Sequence, residues 1–105
     1  MKLYNVRYFK GDTADYRTVS KHTSKEKAMI FARKFVDQLV NRHDENNNPV
    51  IVEQHDVDLS DYEITMLYLV EAKTNRHGDH DPICEGVSVA LIKEVSPAQD
   101  AFDIG

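Results

Sequence analysis

The chain has 105 residues, 41% apolar and 9% aromatic, with a net charge of −5 at pH 7. This is enough for one domain with a modest core, and it excludes a mainly disordered polymer. The single cysteine, Cys84, excludes an intrachain disulfide and fits a reducing, cytoplasmic setting. No apolar run approaches the roughly 20 residues of a membrane-spanning helix, and "MKLYNVRYFKGD" has none long enough for a signal peptide.

The net charge hides a split. Residues 1–42 carry ten Lys/Arg against four Asp/Glu, a net of +6, whereas residues 43–105 carry three against fourteen, a net of −11. Such asymmetry predicts either a polar electrostatic field or charge-complementary packing.

"KLYNVRYFK" alternates with Tyr4, Val6 and Tyr8 on one face, the period of a strand. "GDTAD" supplies turn formers, with Gly11 and Asp12 as pivots, and "YRTVS" returns as a second strand, completing a hairpin. "TSKE" then forms a capping box between Thr23 and Glu26. Behind it Ala28, Phe31, Ala32, Phe35 and Leu39 recur at helical spacing, widened by Met29, Val36 and Val40. Lys27, Lys34, Asp37 and Gln38 take the opposite face, with Ile30 partly exposed among them. The helix is expected to end near Arg42, before "NRHDENNNP".

"VIVEQ" reads as a third strand, and "HDVDLSD" as an acidic connection that can continue it. "YEITMLYLVEA" is apolar on both faces, with Tyr62, Ile64, Met66, Tyr68 and Val70 on one and Leu67 and Leu69 on the other. "SDYE" would also cap a helix here, but the Ile, Thr, Tyr and Val content favours a central strand. "EGVSVALIKEV" is the last strand, with Val87, Val89 and Leu91 on one face. "SPAQDAFDIG" is a tail whose Phe102 and Ile104 offer apolar docking groups.

The expected fold class is therefore α+β. One amphipathic helix packs on a mostly antiparallel sheet of about five strands, in the order β-β-α-β-β-β. Residues 1–95 form a single domain and residues 96–105 the tail. One helix covers one sheet face, so the other, to which Leu67, Leu69, Ala90 and Ile92 are assigned, must curl on itself, lie under the tail or meet a partner; a homodimer is one solution.

Three constellations carry candidate chemistry. "NRHGDHDPICEG" places His77, Asp79, His80 and Cys84 close together, all of them ligand types for zinc and some of them redox-active. The spacing matches no established zinc pattern, and Gly78, Asp79, Asp81 and Pro82 are turn formers, so a connector is the simpler reading, with Cys84 as a half-buried thiol beside the strand. No cofactor is expected. The acidic run "EQHDVDLSDYE" contributes Asp56, Asp58, Asp61, Tyr62 and Glu63 as a surface for a basic partner. Lys25, Lys27, Arg33, Lys34 and Arg42, with Arg7, Lys10, Arg17 and Lys21, offer a phosphate-contacting alternative, with five tyrosines as stacking groups. The overall acidity argues against a dedicated nucleic-acid binder.

Enzyme motifs are absent: there is no Gly-rich phosphate loop, nucleophile elbow or HExxH. The functional expectation is a non-enzymatic protein-interaction module, an inhibitor or adaptor. In size, acidity and lack of motifs the chain resembles the small accessory proteins of bacteriophages and mobile elements, many of which inhibit a host protein by binding it.

Overall fold

Period-two and period-3.6 apolar patterns in one short chain must be reconciled by stacking a helix on a sheet. A computed structural model of the protein, describing residues 2–11 and 16–93, shows this arrangement. The elements are β1 (Tyr4–Lys10), β2 (Tyr16–His22), α1 (Lys25–Glu45), β3 (Val50–Asp58), β4 (Tyr62–Thr74) and β5 (His80–Ile92). The strands form one sheet in the order β2-β1-β5-β4-β3, with every pairing antiparallel. The tail, with Phe102 and Ile104, lies outside the described residues, as does Asp12 of the first turn.

The helix begins one residue later than the capping box implies. Ser24 is the N-cap, in extended conformation, and its hydroxyl accepts from the Lys27 amide at 3.2 Å. With Ser24 in that role, Lys27 occupies the third helical position where a box needs Glu or Gln, and Glu26 is left to favour the helix dipole from the first turn. The end is later too. Asn47 takes a left-handed φ of 58°, its amide donates to the Asp44 carbonyl at 3.1 Å, and the Asn48 amide reaches the His43 carbonyl at 2.8 Å. This is a Schellman motif, and it lets the helix run three residues past Arg42 before Pro49 prevents continuation.

Ala28, Ala32, Val36 and Leu39 bury their side chains against the sheet. The two alanines permit close approach, and Phe31 and Phe35 fill the flank above β1 and β2. Phe35 meets the Tyr8 ring at 5.7 Å between centroids, and Phe31 meets the His22 ring at 5.5 Å. Beneath lie Val6, Leu67, Leu69, Val87 and Val89, all nearly inaccessible.

That set corrects one expectation. Leu67 and Leu69 face the helix, because Leu67 pairs with Val87 and Thr65 with Val89. The uncovered face instead carries Ile64, Met66 and Tyr68 of β4, with Ser88, Ala90 and Ile92 of β5. The last strand also starts earlier than "EGVSVALIKEV". It begins at His80, and register shifts around Val70 absorb Pro82 and Cys84, the latter at a left-handed φ of 54°. Pro82 is tolerated where the ladder is irregular.

Gly86 is a packing requirement. A Cβ there would lie 2.4 Å from the Leu67 carbonyl oxygen and 2.8 Å from the Phe9 ring. Phe9, paired with Gly86 across β1–β5, occupies that space and is itself buried.

Candidate functional site

The sheet order converts the charge split along the chain into a split across the sheet, while the basic helix reaches over the acidic flank, where Lys25 approaches Glu63 and Arg33 donates to Gln54. β1 and β2 carry Arg7, Lys10, Arg17 and Lys21, and they form one flank. β3 and β4, with Glu53, Asp56, Asp58 and Glu63, form the other. Among the described residues β2 and β3 are the two edges, so each edge bears one sign.

The acidic segment is divided by the pleat. Asp56 pairs with Thr65 and Asp58 with Glu63, which sets Asp56, Asp58 and Glu63 on the helix side, while Tyr62 pairs with Ile92 and lines a cleft on the open side. "HDVD" belongs to β3, so the acidic connection shrinks to Leu59–Ser60–Asp61. Hydrogen bonds from Leu59 N to Tyr62 O and from Lys93 N to Asp61 O, both 2.8 Å, fix this turn.

Two lysines approach the carboxylates. The Lys93 ammonium donates to Asp58 at 2.5 Å and to the Leu59 carbonyl at 2.7 Å. Lys25, at the start of α1, lies 3.7 Å from Glu63. The Lys93 hydrogen bond and charge hold the Asp58 carboxyl below its usual pKa, and the same hydrogen bond raises Lys93. Asp56 is lowered by hydrogen bonds from Thr65 and then Gln54. Asp56 and Asp58 are therefore ionised at neutral pH, and together with Asp61 and Glu63 they outnumber the two lysines. These are surface pairs of small energetic worth, and their significance is a directed negative potential.

The open face beside this end is apolar. Ile64, Met66, Ala90 and Tyr68 are half-exposed, and Ile92 is 71% exposed. A cleft of about 540 Å³ runs between Asn5, Arg7, Tyr62, Ile64, Ala90 and Ile92. Asn5 Oδ1 is shielded from solvent there and accepts no hydrogen bond among the described residues. No described residue covers this face.

The histidine-rich segment is a tight turn followed by strand. Asn75 organises it: its Oδ1 accepts from the His77 amide at 2.9 Å and the Asp79 amide at 3.1 Å, and its Nδ2 donates to Asp81 at 3.0 Å. Gly78 adopts the φ of 82° that the turn demands. His80 Nδ1–H donates to the Glu71 carbonyl at 2.8 Å, turning its ring toward β4. Cys84 lies beyond Pro82 beside Phe9, His55 and Met66. It is exposed and inside β5, not a half-buried thiol preceding a strand, because its left-handed backbone breaks the alternation of the pleat. Among the described residues, no three or more His, Cys, Asp or Glu are grouped to hold a metal ion.

Of the tyrosines in the basic half, Tyr4 and Tyr8 pack against the core, and Arg17 lies over the Tyr8 ring at 5.8 Å. Tyr62 and Tyr68 belong to the acidic flank.

Sequence reasoning missed one constellation. Glu85 is 4% exposed, on the helix side of β5. The Tyr8 hydroxyl donates to its Oε2, and His43 Nε2–H donates to its Oε1 at 2.6 Å. Burial opposes the Glu85 charge, but the hydrogen bonds from Tyr8 and His43 outweigh it and hold the carboxyl below its ordinary value. Burial, then the hydrogen bond to that carboxylate, pushes Tyr8 up to about 12. Tyr8 thus stays protonated at neutral pH and serves as a hydrogen-bond donor to Glu85. Both Glu85 oxygens are occupied, so the group ties β1, β5 and the last turns of α1 together.

Comparison of the chain with protein-family models, curated proteins and solved structures finds no match. Among the described residues no helix is long and apolar enough to cross a membrane. The functional reading rests on the chemistry of the surface.

Proposed function

We propose that this chain is a small protein-binding module, acting as an inhibitor or adaptor by presenting its acidic sheet end to a basic partner surface. The observation that carries the reading is the convergence of Asp56, Asp58, Asp61 and Glu63 at one end of an edge strand whose outer backbone groups have no neighbouring strand among the described residues. Carboxylates there accelerate encounter with a positively charged surface, and the free edge of β3 offers backbone hydrogen bonds once the partner is seated. Ile51 and Val52, both exposed on β3, add apolar contact along that edge. The resemblance in size and acidity to host-directed accessory proteins of bacteriophages and mobile elements agrees with this mode.

The test compares affinity capture by the native chain and by the triple variant Asp56→Lys, Asp58→Lys, Asp61→Lys, from the same extract at low and moderate salt. Supporting proteins are basic, are retained by the native chain, elute with salt and are lost by the variant. Identical captured sets would remove this surface from consideration.

A further inference from the structure

We propose that β3 pairs with β3 of a second copy of this chain, joining the two sheets edge to edge about a twofold axis that stands perpendicular to the sheet at Gln54. No described strand pairs with the outer side of β3. Which backbone groups face outward follows from the hairpin with β4. The Leu59 amide donates to the Tyr62 carbonyl at 2.8 Å, and the Ala72 amide to the Pro49 carbonyl at 3.0 Å. Along an antiparallel strand successive residues turn their N–H and C=O to opposite sides, so Ile51, Glu53, His55 and Val57 turn theirs toward β4. Val50, Val52, Gln54, Asp56 and Asp58 turn theirs to the open edge. The twofold sets these two rows of outward groups against each other in antiparallel, and both helices stay on one side of the joined sheet.

The order of side chains along β3 is self-complementary about Gln54. An axis there overlaps all of Val50–Asp58 with itself, a ladder ~30 Å long at about 3.3 Å per residue. On the open side of the sheet Glu53 lies opposite His55 of the second copy, and Ile51 opposite Val57, each pair occurring twice. Tyr68 donates to Oε2 of Glu53, so the imidazole N–H is received by Oε1. On the helix side Asp56 lies opposite Val52 and Asp58 opposite Val50, so no carboxylate directly faces another. Arg33 of α1 already donates to Gln54 Oε1 at 3.4 Å. The second copy's Asp56 lies diagonally across from Gln54 on that same side, within the ~7–8 Å that a long side chain spans. Moving the axis by one residue opposes Glu53 to Glu53 or His55 to His55. The other edge lacks this symmetry: full overlap of β2 with itself opposes Arg17 to Lys21 twice, and its ladder is interrupted by a register shift. Self-pairing uses the same outward groups that the proposed basic partner takes, so the two occupants exclude each other. The dimer does not depend on that partner and is tested on the pure chain.

The experiment is sedimentation of the full chain from about 1 to 100 µM, a range that spans micromolar self-association. The expected result is conversion from monomer to dimer mass. Gln54→Pro removes an amide that faces outward and spares the β3–β4 ladder, so it should leave the circular dichroism spectrum unchanged and keep the chain monomeric. His55→Glu alone opposes two carboxylates at both sites and should weaken the dimer about tenfold, and Glu53→Lys alone should also weaken it. Mixing these two variants should restore a heterodimer. At one site the carboxylate introduced by His55→Glu then faces the ammonium introduced by Glu53→Lys, and at the other native Glu53 faces native His55. A native chain that stays monomeric at 100 µM overturns the proposal, and so does a dimer that persists in a folded Gln54→Pro variant. A native dimer without rescue on mixing overturns the pairing about Gln54, whatever the proline variant does.

Discussion

Replacing Glu85 should show how strongly one buried carboxylate fastens the helix to the sheet. Its two oxygens receive the Tyr8 hydroxyl and the His43 Nε2–H, and it is 4% exposed. Hydrogen bonds to a charged group contribute about 1.5–3 kcal/mol each, and truncating Glu85 leaves two half-buried donors, on Tyr8 and His43, without their acceptor. Glu85→Ala should therefore lose about 3–5 kcal/mol, a large part of the roughly 5–15 kcal/mol typical of a domain. Glu85→Gln keeps the shape and one acceptor and should lose about 1–2 kcal/mol. The assay is urea unfolding across pH. Because the folded Glu85 pKa lies below its unfolded value, the carboxylate's contribution is complete above the unfolded pKa of about 4.3 and fades as pH falls through the folded one. The native chain and Glu85→Gln should thus differ at pH 7 and converge in acid. Equal midpoints at pH 7, or a gap that persists undiminished at pH 2, would refute the reasoning.

Ser24→Ala should lose about 1 kcal/mol of stability in the same assay, and Thr23→Ala much less, because only Ser24 caps an amide of α1. Gly86→Ala should lower stability by about 1–3 kcal/mol, as the added methyl group meets the Leu67 carbonyl and the Phe9 ring; an unchanged melting temperature would contradict that packing. Lys93→Met should move the Asp58 titration upward when followed by carboxyl NMR, since the lysine's hydrogen bond and charge are what hold it down.

The elements are legible in the sequence because their apolar periods are clean. Ala28, Ala32, Val36 and Leu39 mark one helix face, and Val87, Val89 and Leu91 mark one strand face. The orientation of β4 is not legible, since it is apolar on both faces and only pairing with β5 decides that Leu67 turns inward. The start of β5 is hidden by Asp81 and Pro82, turn formers that a bulged ladder accepts. Local rules place the cap at Thr23, where two adjacent hydroxyl residues compete and the backbone selects the second. The acidic run is visible as composition, but its division between Tyr62 on one side and the carboxylates on the other follows from register. Glu85 gives no signal at all. It sits 77 residues from Tyr8 and 42 from His43, and its neighbours Cys84 and Gly86 suggest a loop.

β5, the latest strand among the described residues, occupies the middle of the sheet, between β1 and β4. Tyr4 therefore waits for Leu91 before β1 gains its inner neighbour. The first hairpin and α1 can assemble from local contacts, but the sheet stays open down its centre until β5 inserts between β1 and β4. Closing so long a loop slows folding, and until it closes the inner edges of β1 and β4 are unpaired strand edges open to association with other chains.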